Sequence, residues 1–248
     1  MSGPRPVTVH LLRHGEVFNP DGILYGRLSG FSLSERGHAM ARRVAAVLPA
    51  VAPGRARVGI VTSSPLQRAW ETAAPTAAAL GVEVGIDERL IEAANMLQGR
   101  RVDASVLLDR EFRRALRHPL RPGWGEPYEQ VAARMWAVIG ETVTRADAAD
   151  CAALLVSHQL PIWTARRWGQ CRRLWHDPRS RQCALASLTT LTFDVAGLGG
   201  PSGADLGRLR EALVAVDYSE PAHDLVAGAE DVMVPTANRV HDAAGSTP

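Results

Sequence analysis

Short apolar runs recur along the chain, each followed by a polar loop and then by apolar residues at helical spacing. Val7 to Leu12 (VTVHLL) is rich in β-branched residues and predicts a buried strand. A polar, glycine-rich loop runs to about Phe31. Residues 32–48 then carry Leu33, Met40, Val44, Val47 and Leu48 on one side, predicting a helix that Ser32 and Glu35 open as a capping box. Gly37 weakens its first turn. Val58 to Thr62 predicts a second buried strand, and Ser63-Ser64-Pro65 a helix start with Ser64 as N-cap and Pro65 as first helical residue. Pro75 is expected to kink or divide that helix. Val82 to Ile86 predicts a third strand. Residues 104–117 and 127–146 read as helices, the second with Val131, Met135, Val138, Ile139 and Thr142 along one face. Ala152 to Ser157 (AALLVS) predicts another buried strand, followed by a helix with Pro161 in its first turn. Ser187 to Phe193 and Leu213 to Val216 predict a closing pair of strands.

This alternation of strand, loop and helix points to an α/β fold, a three-layer α/β/α sandwich around a mostly parallel sheet. The segment GLGGPSG (197–203) falls short of a dinucleotide fingerprint, because Ser202 stands at the third glycine position and no strong helix start follows. It reads as a loop. From Glu220 onward the composition turns polar and rich in Pro, Gly and acidic residues. The expected organisation is therefore one domain over 1–219 and a peripheral or disordered tail over 220–248.

Composition narrows the chemistry. The 248 residues are 46% hydrophobic and 22% charged, the balance of a globular protein. A net charge of +2 gives no general attraction to nucleic acid or membrane. All 28 basic side chains are arginine, and lysine is absent. Schiff-base catalysis, a pyridoxal-phosphate anchor, a P-loop lysine and a Ser-Lys dyad are thereby excluded. Codon bias accounts for most of that arginine, whose permanent charge and forked geometry suit phosphate and carboxylate. No apolar run approaches a membrane span and no secretory signal is seen. The three cysteines lack metal-ligand spacing, so a reducing, cytoplasmic setting is expected.

Candidate chemistry sits where three strands end. The first strand delivers Arg13 and His14, the helix after the second delivers Arg68, and the strand at 152–157 delivers His158. Ligands of open α/β sheets bind beyond the carboxyl ends of the strands. Two arginines and two histidines converging there make a phosphate pocket, in which an imidazole can attack phosphorus. Arg68 carries its own hint, since a cation in a first helical turn opposes the macrodipole and calls for a compensating anion.

LLRHGE (11–16), SSPLQRAWETA (63–73), Glu92 within DERLIEA and LLVSH (154–158) together resemble the histidine phosphatase superfamily, the phosphoglycerate mutase-like proteins. The likeness continues to the strands near 187–217. It implies a phosphoglycerate mutase-like fold with His14 as nucleophile, passing through a phosphohistidine. Arg13, Arg68 and a protonated His158 would clamp the phosphoryl group, with no cofactor and no metal. Glu92 would protonate the leaving oxygen and then activate water. Phe18-Asn19 and Gly26-Arg27-Leu28 resemble the family's segment that closes over the phosphate, with Asn19 and the Gly26 backbone touching it.

The chain departs from the family pattern at three points. Asn19 lies one residue closer to His14 than is usual, Gln159 stands where many members have glycine, and AANMLQGRRV replaces the usual ending after the acid. Glu92 and His158 are only 66 positions apart, too short for the insertion with which a cofactor-dependent mutase shields its phosphoenzyme. Asn95 stands where mutases often have tyrosine. Hydrolysis of a small phosphorylated metabolite is therefore the first reading and a phosphoglycerate mutase-type isomerase the alternative. A homodimer is an open possibility. Arg100, Arg101, Arg113 and Arg114 are read as solvated faces before anion contacts. The stretch 166–181, six arginines with Trp168 and Trp175, reads as steering of anionic substrate before nucleic-acid binding.

Overall fold

The computed structural model describes residues 6–48, 56–101, 110, 125–197 and 206–231. Its strands are β1 (Pro6–Arg13), β2 (Val58–Ser63), β3 (Val84–Ile86), β4 (Ala152–Ser157), β5 (Leu188–Asp194) and β6 (Leu213–Ser219). Its helices are α1 (Glu35–Val47), α2 (Gln67–Leu80), α3 (Tyr128–Ala148), α4 (Gln159–Gly169), α5 (Leu206–Glu211) and α6 (His223–Val226). The six strands form one sheet in the order β3-β2-β4-β1-β5-β6. β1, β2, β3 and β4 pair in parallel, whereas β5 runs antiparallel to both of its neighbours. The sheet is thus mixed, with the parallel half carrying the catalytic candidates.

Alternation of side chains along the strands builds two cores. Val9, Leu11, Ala153 and Leu155 pack with Met135, Trp136 and Ile139 of α3 and Ile162 of α4. Leu12, Leu154 and Val156 pack on the other face with Met40 and Val44 of α1 and Ala69 and Ala73 of α2. A register shift between Val58 and Ile60 lets Val58 and Val61 share this second face. Each such Leu, Val or Ile contributes roughly 1.5–3 kcal/mol by leaving water. Among the described residues, no helix is long and apolar enough to cross a membrane.

Several sequence expectations need correction. Ser34, not Ser32, caps α1 by accepting from the Gly37 N–H at 3.0 Å. Ser64 does not cap α2, which starts at Gln67 after Leu66. α2 runs through Pro75 without division, its buried face of Ala73, Thr76 and Ala77 holding it to the sheet. β3 is shorter than the predicted run. α5 went unseen because its six residues are too few to show periodicity. Residues 220–231 of the expected tail are described: Ala222 is buried, Arg43 pairs with Asp224 at 3.1 Å, and the Glu230 N–H donates to Glu16 at 2.8 Å. The predicted helix at 104–117 and most of the loop at 197–203 lie outside the described residues, apart from isolated positions.

Candidate active site

The parallel register sets Arg13 of β1 opposite Ser157 of β4, and Ser63 of β2 opposite Val156, so three strand ends stand side by side. The His14 N–H donates to Ser157 O at 3.2 Å and the Ser64 N–H to Val156 O at 2.9 Å, which ties the residues after β1 and β2 to β4. Arg13, His14, Arg68, Glu92 and His158 all come together here, each almost wholly buried. The His14 and His158 rings lie 5.1 Å apart.

His14 is held by one bond. Its Nδ1 is 2.8 Å from the Gly15 carbonyl, which can only accept, so Nδ1 carries the proton and Nε2 keeps its lone pair. Burial, then the Arg68 and Arg13 charges, push its pKa well below the ordinary histidine value. The ring is neutral at physiological pH, the form a nucleophile needs. His158 is fixed differently. Its Nδ1 faces Arg68 Nη2 at 3.4 Å, and a guanidinium only donates, so Nε2 is the protonated nitrogen and donates to Ser64 Oγ at 2.8 Å. Burial and the charges of Arg68 and Arg13 lower its pKa too. Without an anion the burial and the two guanidiniums favour a neutral ring, and the negative charge of a bound phosphoryl group raises its proton affinity.

Both guanidiniums are oriented by neighbouring groups, of which the sequence pattern points to Gly26 alone. Arg68 Nη2 donates to Gly26 O at 2.6 Å, and its guanidinium lies 4.6 Å from the centre of the Tyr25 ring. Arg13 donates from Nη1 to Cys183 O at 2.7 Å and forms a two-pronged pair with Asp231, each prong 2.8 Å. Burial would lower the Arg13 pKa, but the pair with Asp231 outweighs it and the net direction is upward. Asp231 takes the inner hydrogens of Nη1 and Nη2, which leaves the edge containing Nε. Among the described residues, neither the Nε–H of Arg13 nor the Nε–H of Arg68, both buried, has a partner. A buried donor without an acceptor is costly, and a phosphate oxygen is the acceptor this pocket is shaped to take.

Glu92 follows the short helical turn Glu88–Leu90, and Ser157 Oγ donates to Leu90 O at 2.7 Å, pinning that turn to the end of β4. Burial raises the Glu92 pKa, opposed by a 2.8 Å bond from the Ala93 N–H and by Arg68 and Arg13. A carboxyl biased toward its protonated form beside two guanidiniums is equipped to give a proton to a leaving oxygen.

Asn19 and Gly26 stand apart from their expected roles. Both ends of the Asn19 amide are occupied by the Ile23 backbone, at 3.0 and 3.2 Å, so the side chain closes a local turn. Gly26 acts through the carbonyl that holds Arg68. Of the Arg/Trp stretch, Trp168 packs on Trp136 at 4.8 Å and Arg167 donates to Arg173 O at 2.6 Å, leaving only Trp175 as a well-exposed ring. Arg181 alone turns toward the site, lining a cavity with Glu92, Gly26, Asn95 and Tyr128. Arg113 and Arg114 lie outside the described residues. Among the described residues, no group of three or more His, Cys, Asp or Glu side chains is arranged to hold a metal.

Comparison with known proteins bears on this geometry. A family model described as histidine phosphatase superfamily (branch 1) matches residues 9–198. The uncharacterized protein Rv0525 of Mycobacterium tuberculosis is 47% identical over 221 residues, 88% of this chain and 98% of that protein. The mycobacterial glucosyl-3-phosphoglycerate phosphatase Rv2419c superposes with a TM-score of 0.65 at 25% identity, over 87% of this chain and 99% of that one. A phosphoglycerate mutase from Bacillus anthracis has a TM-score of 0.63 at 17% identity over 90% and 96% of the two chains, a likeness of fold alone.

Proposed function

The chain belongs to the histidine phosphatase superfamily, branch 1, and on that premise we propose that it hydrolyses phosphate monoesters of small metabolites through a phosphohistidine on His14, without a metal ion. The observation that carries this reading is the pair of buried guanidiniums whose Nε–H groups lack acceptors, flanking a histidine whose Nε2 is free.

In the first step His14 Nε2 attacks phosphorus, the ester P–O bond breaks, and the Glu92 proton passes to the departing alkoxide. Arg13 and Arg68 stabilise the equatorial oxygens as charge spreads over them. In the second step water attacks phosphorus, Glu92 takes its proton, and the N–P bond breaks to return neutral His14 and inorganic phosphate. Water must reach the phosphohistidine for this to be hydrolysis. The short span from Glu92 to His158 supports that access, as does the likeness to glucosyl-3-phosphoglycerate phosphatase.

The test is release of phosphate from p-nitrophenyl phosphate in the presence of a chelator. The expected result is turnover by the native protein, its abolition in His14→Ala, and an acid-labile, alkali-stable phosphoryl group on the native enzyme. Activity that survives in His14→Ala overturns the mechanism. Conversion of 3-phosphoglycerate to 2-phosphoglycerate faster than phosphate release would favour the isomerase instead.

A further inference from the structure

The two guanidiniums of the clamp are held by different means. Arg13 has a carboxylate, in its two-pronged pair with Asp231. Arg68, at the start of α2, makes no ion pair among the described residues. Its bonds to Gly26 O at 2.6 Å and to His158 Nδ1 at 3.4 Å both leave from Nη2. Two bonds at one corner fix that corner and leave the guanidinium plane free to tilt about it. The contact that can hold the plane is the Tyr25 ring, whose centre lies 4.6 Å from Arg68 Cζ.

Tyr25 is itself firmly seated. The Leu28 N–H donates to Tyr25 O at 2.7 Å and closes a tight turn. Arg27 pins that turn on one side, donating from Nε to Glu92 O at 2.6 Å and from Nη2 to Glu126 at 2.7 Å. Leu24 pins the chain just before it, its N–H donating to Arg100 O at 2.9 Å and its carbonyl accepting from the Gly99 N–H at 2.8 Å. The ring is buried, 5.4 Å from that of Phe31 and edge-on to that of His14 at 6.3 Å. Burial, against the pull of the Arg13 and Arg68 charges, raises its phenol to about 12, so the ring stays uncharged at neutral pH.

We propose that Tyr25 is a positioning residue for phosphoryl transfer: its ring face sets the plane of Arg68, so that the guanidinium meets the phosphoryl oxygens as charge builds on them. The proposal rests on the phosphomonoesterase reading above. In this segment the sequence points to Gly26-Arg27-Leu28 and passes over their neighbour, because a lone aromatic in a polar loop belongs to no pattern.

The test replaces Tyr25 with Phe and with Leu and, at nearly constant shape, with phenylalanines of increasing fluorination, which drain negative charge from the ring face. Each protein is checked by circular dichroism and assayed on p-nitrophenyl phosphate. Tyr25→Phe should keep kcat within about threefold of the native value, because the π face remains. Tyr25→Leu, which fills the space without that face, should lower kcat and kcat/KM alike by about tenfold and leave KM nearly unchanged. Along the fluorinated series kcat should fall at each step. A flat series overturns the proposal, and it does so even if the leucine variant fails to fold. So does a Tyr25→Phe protein that loses as much as Tyr25→Leu, since the hydroxyl would then be the working part. In either case native turnover that His14→Ala abolishes leaves the phosphatase reading standing. A native protein that hydrolyses no phosphate ester overturns both.

Discussion

Burial drives the His14 and Glu92 pKa values in opposite directions, and both shifts serve the same step. Desolvation disfavours the imidazolium and the carboxylate alike, so His14 stays neutral below the ordinary histidine range and Glu92 stays protonated above the ordinary carboxylate range. The reactive form has both neutral. Hydrolysis of an alkyl phosphate should therefore fall on the acid side only well below pH 6.5, and on the alkaline side as Glu92 loses its proton above pH 4.5. Glu92→Gln should erase the alkaline limb and lower kcat for alkyl phosphates by ~10²–10⁴-fold. With p-nitrophenyl phosphate, whose leaving group needs no proton, the same variant should give a burst of nitrophenol and then slow turnover, because the water-attack step has lost its base. Equal loss on both substrates with no burst would count against Glu92. Stability supplies a second check. A carboxyl whose folded pKa is raised holds its proton more tightly when folded, so stability falls as pH rises from the unfolded pKa through the folded one. The neutral amide escapes that loss, so Glu92→Gln should raise Tm at neutral pH, and the difference should vanish below pH 4.5.

Elements are seated around this cluster by close approach as much as by hydrophobic contact. Gly15 and Gly37 meet where the catalytic loop crosses α1. A Cβ on Gly37 would lie 2.0 Å from Glu16 O and one on Gly15 2.7 Å from Gly37 O, both backbone contacts that a side chain cannot relieve. Gly37→Ala should cost about 1–3 kcal/mol by displacing α1. The measurable result is a Tm lowered by several degrees and a weakened affinity for orthovanadate, because Gly15 holds the His14 ring. At the other end of the chain, Asp231→Asn should weaken orthovanadate about 10–100-fold, the scale of a charge-assisted bond on Arg13; tighter binding would mean that Asp231 obstructs the site instead. These contacts show what was legible in the sequence. β4 is buried throughout and β1 and β2 over most of their length, so short, mostly apolar runs mark them to within a residue, and their ends name Arg13, His14 and His158. Helix starts were harder to read. Ser64 has the right chemistry for an N-cap, but its hydroxyl is taken by His158. Ser34 rather than Ser32 caps α1 because it also reaches the Glu16 carboxylate. Asn19 has the chemistry of a ligand, and one donor and one acceptor of its amide close its own turn with Ile23. Asp231 and Arg181 left no local signal, since what defines them is a partner brought close only by folding.

At the scale of the whole molecule, the order β3-β2-β4-β1 explains why the site can exist at all. The chain leaves β1 through α1 toward β2, and leaves β4 through α4 toward β5, so neighbouring strands send their connections to opposite sides and a crevice opens at their carboxyl ends. Five separated segments meet there, ending in residues 13–14, 64–68, 92, 158 and 231. No one segment can present the pocket while the others are unfolded. A phosphate analogue therefore binds only the assembled domain and stabilises it by RT ln(1 + [L]/Kd), about 2.7 kcal/mol at a hundred times Kd. For a domain of this size each kcal/mol is worth roughly 2–4 °C, so saturating orthovanadate should raise Tm by about 5–10 °C. Arg13→Ala and Arg68→Ala each remove a buried guanidinium from the clamp, and in both the rise should nearly disappear at the same concentration, even if the variant's own Tm is higher because a buried charge has gone. An undiminished rise in either variant would show that the anion is held elsewhere, and the phosphoryl site would have to be redrawn without that residue.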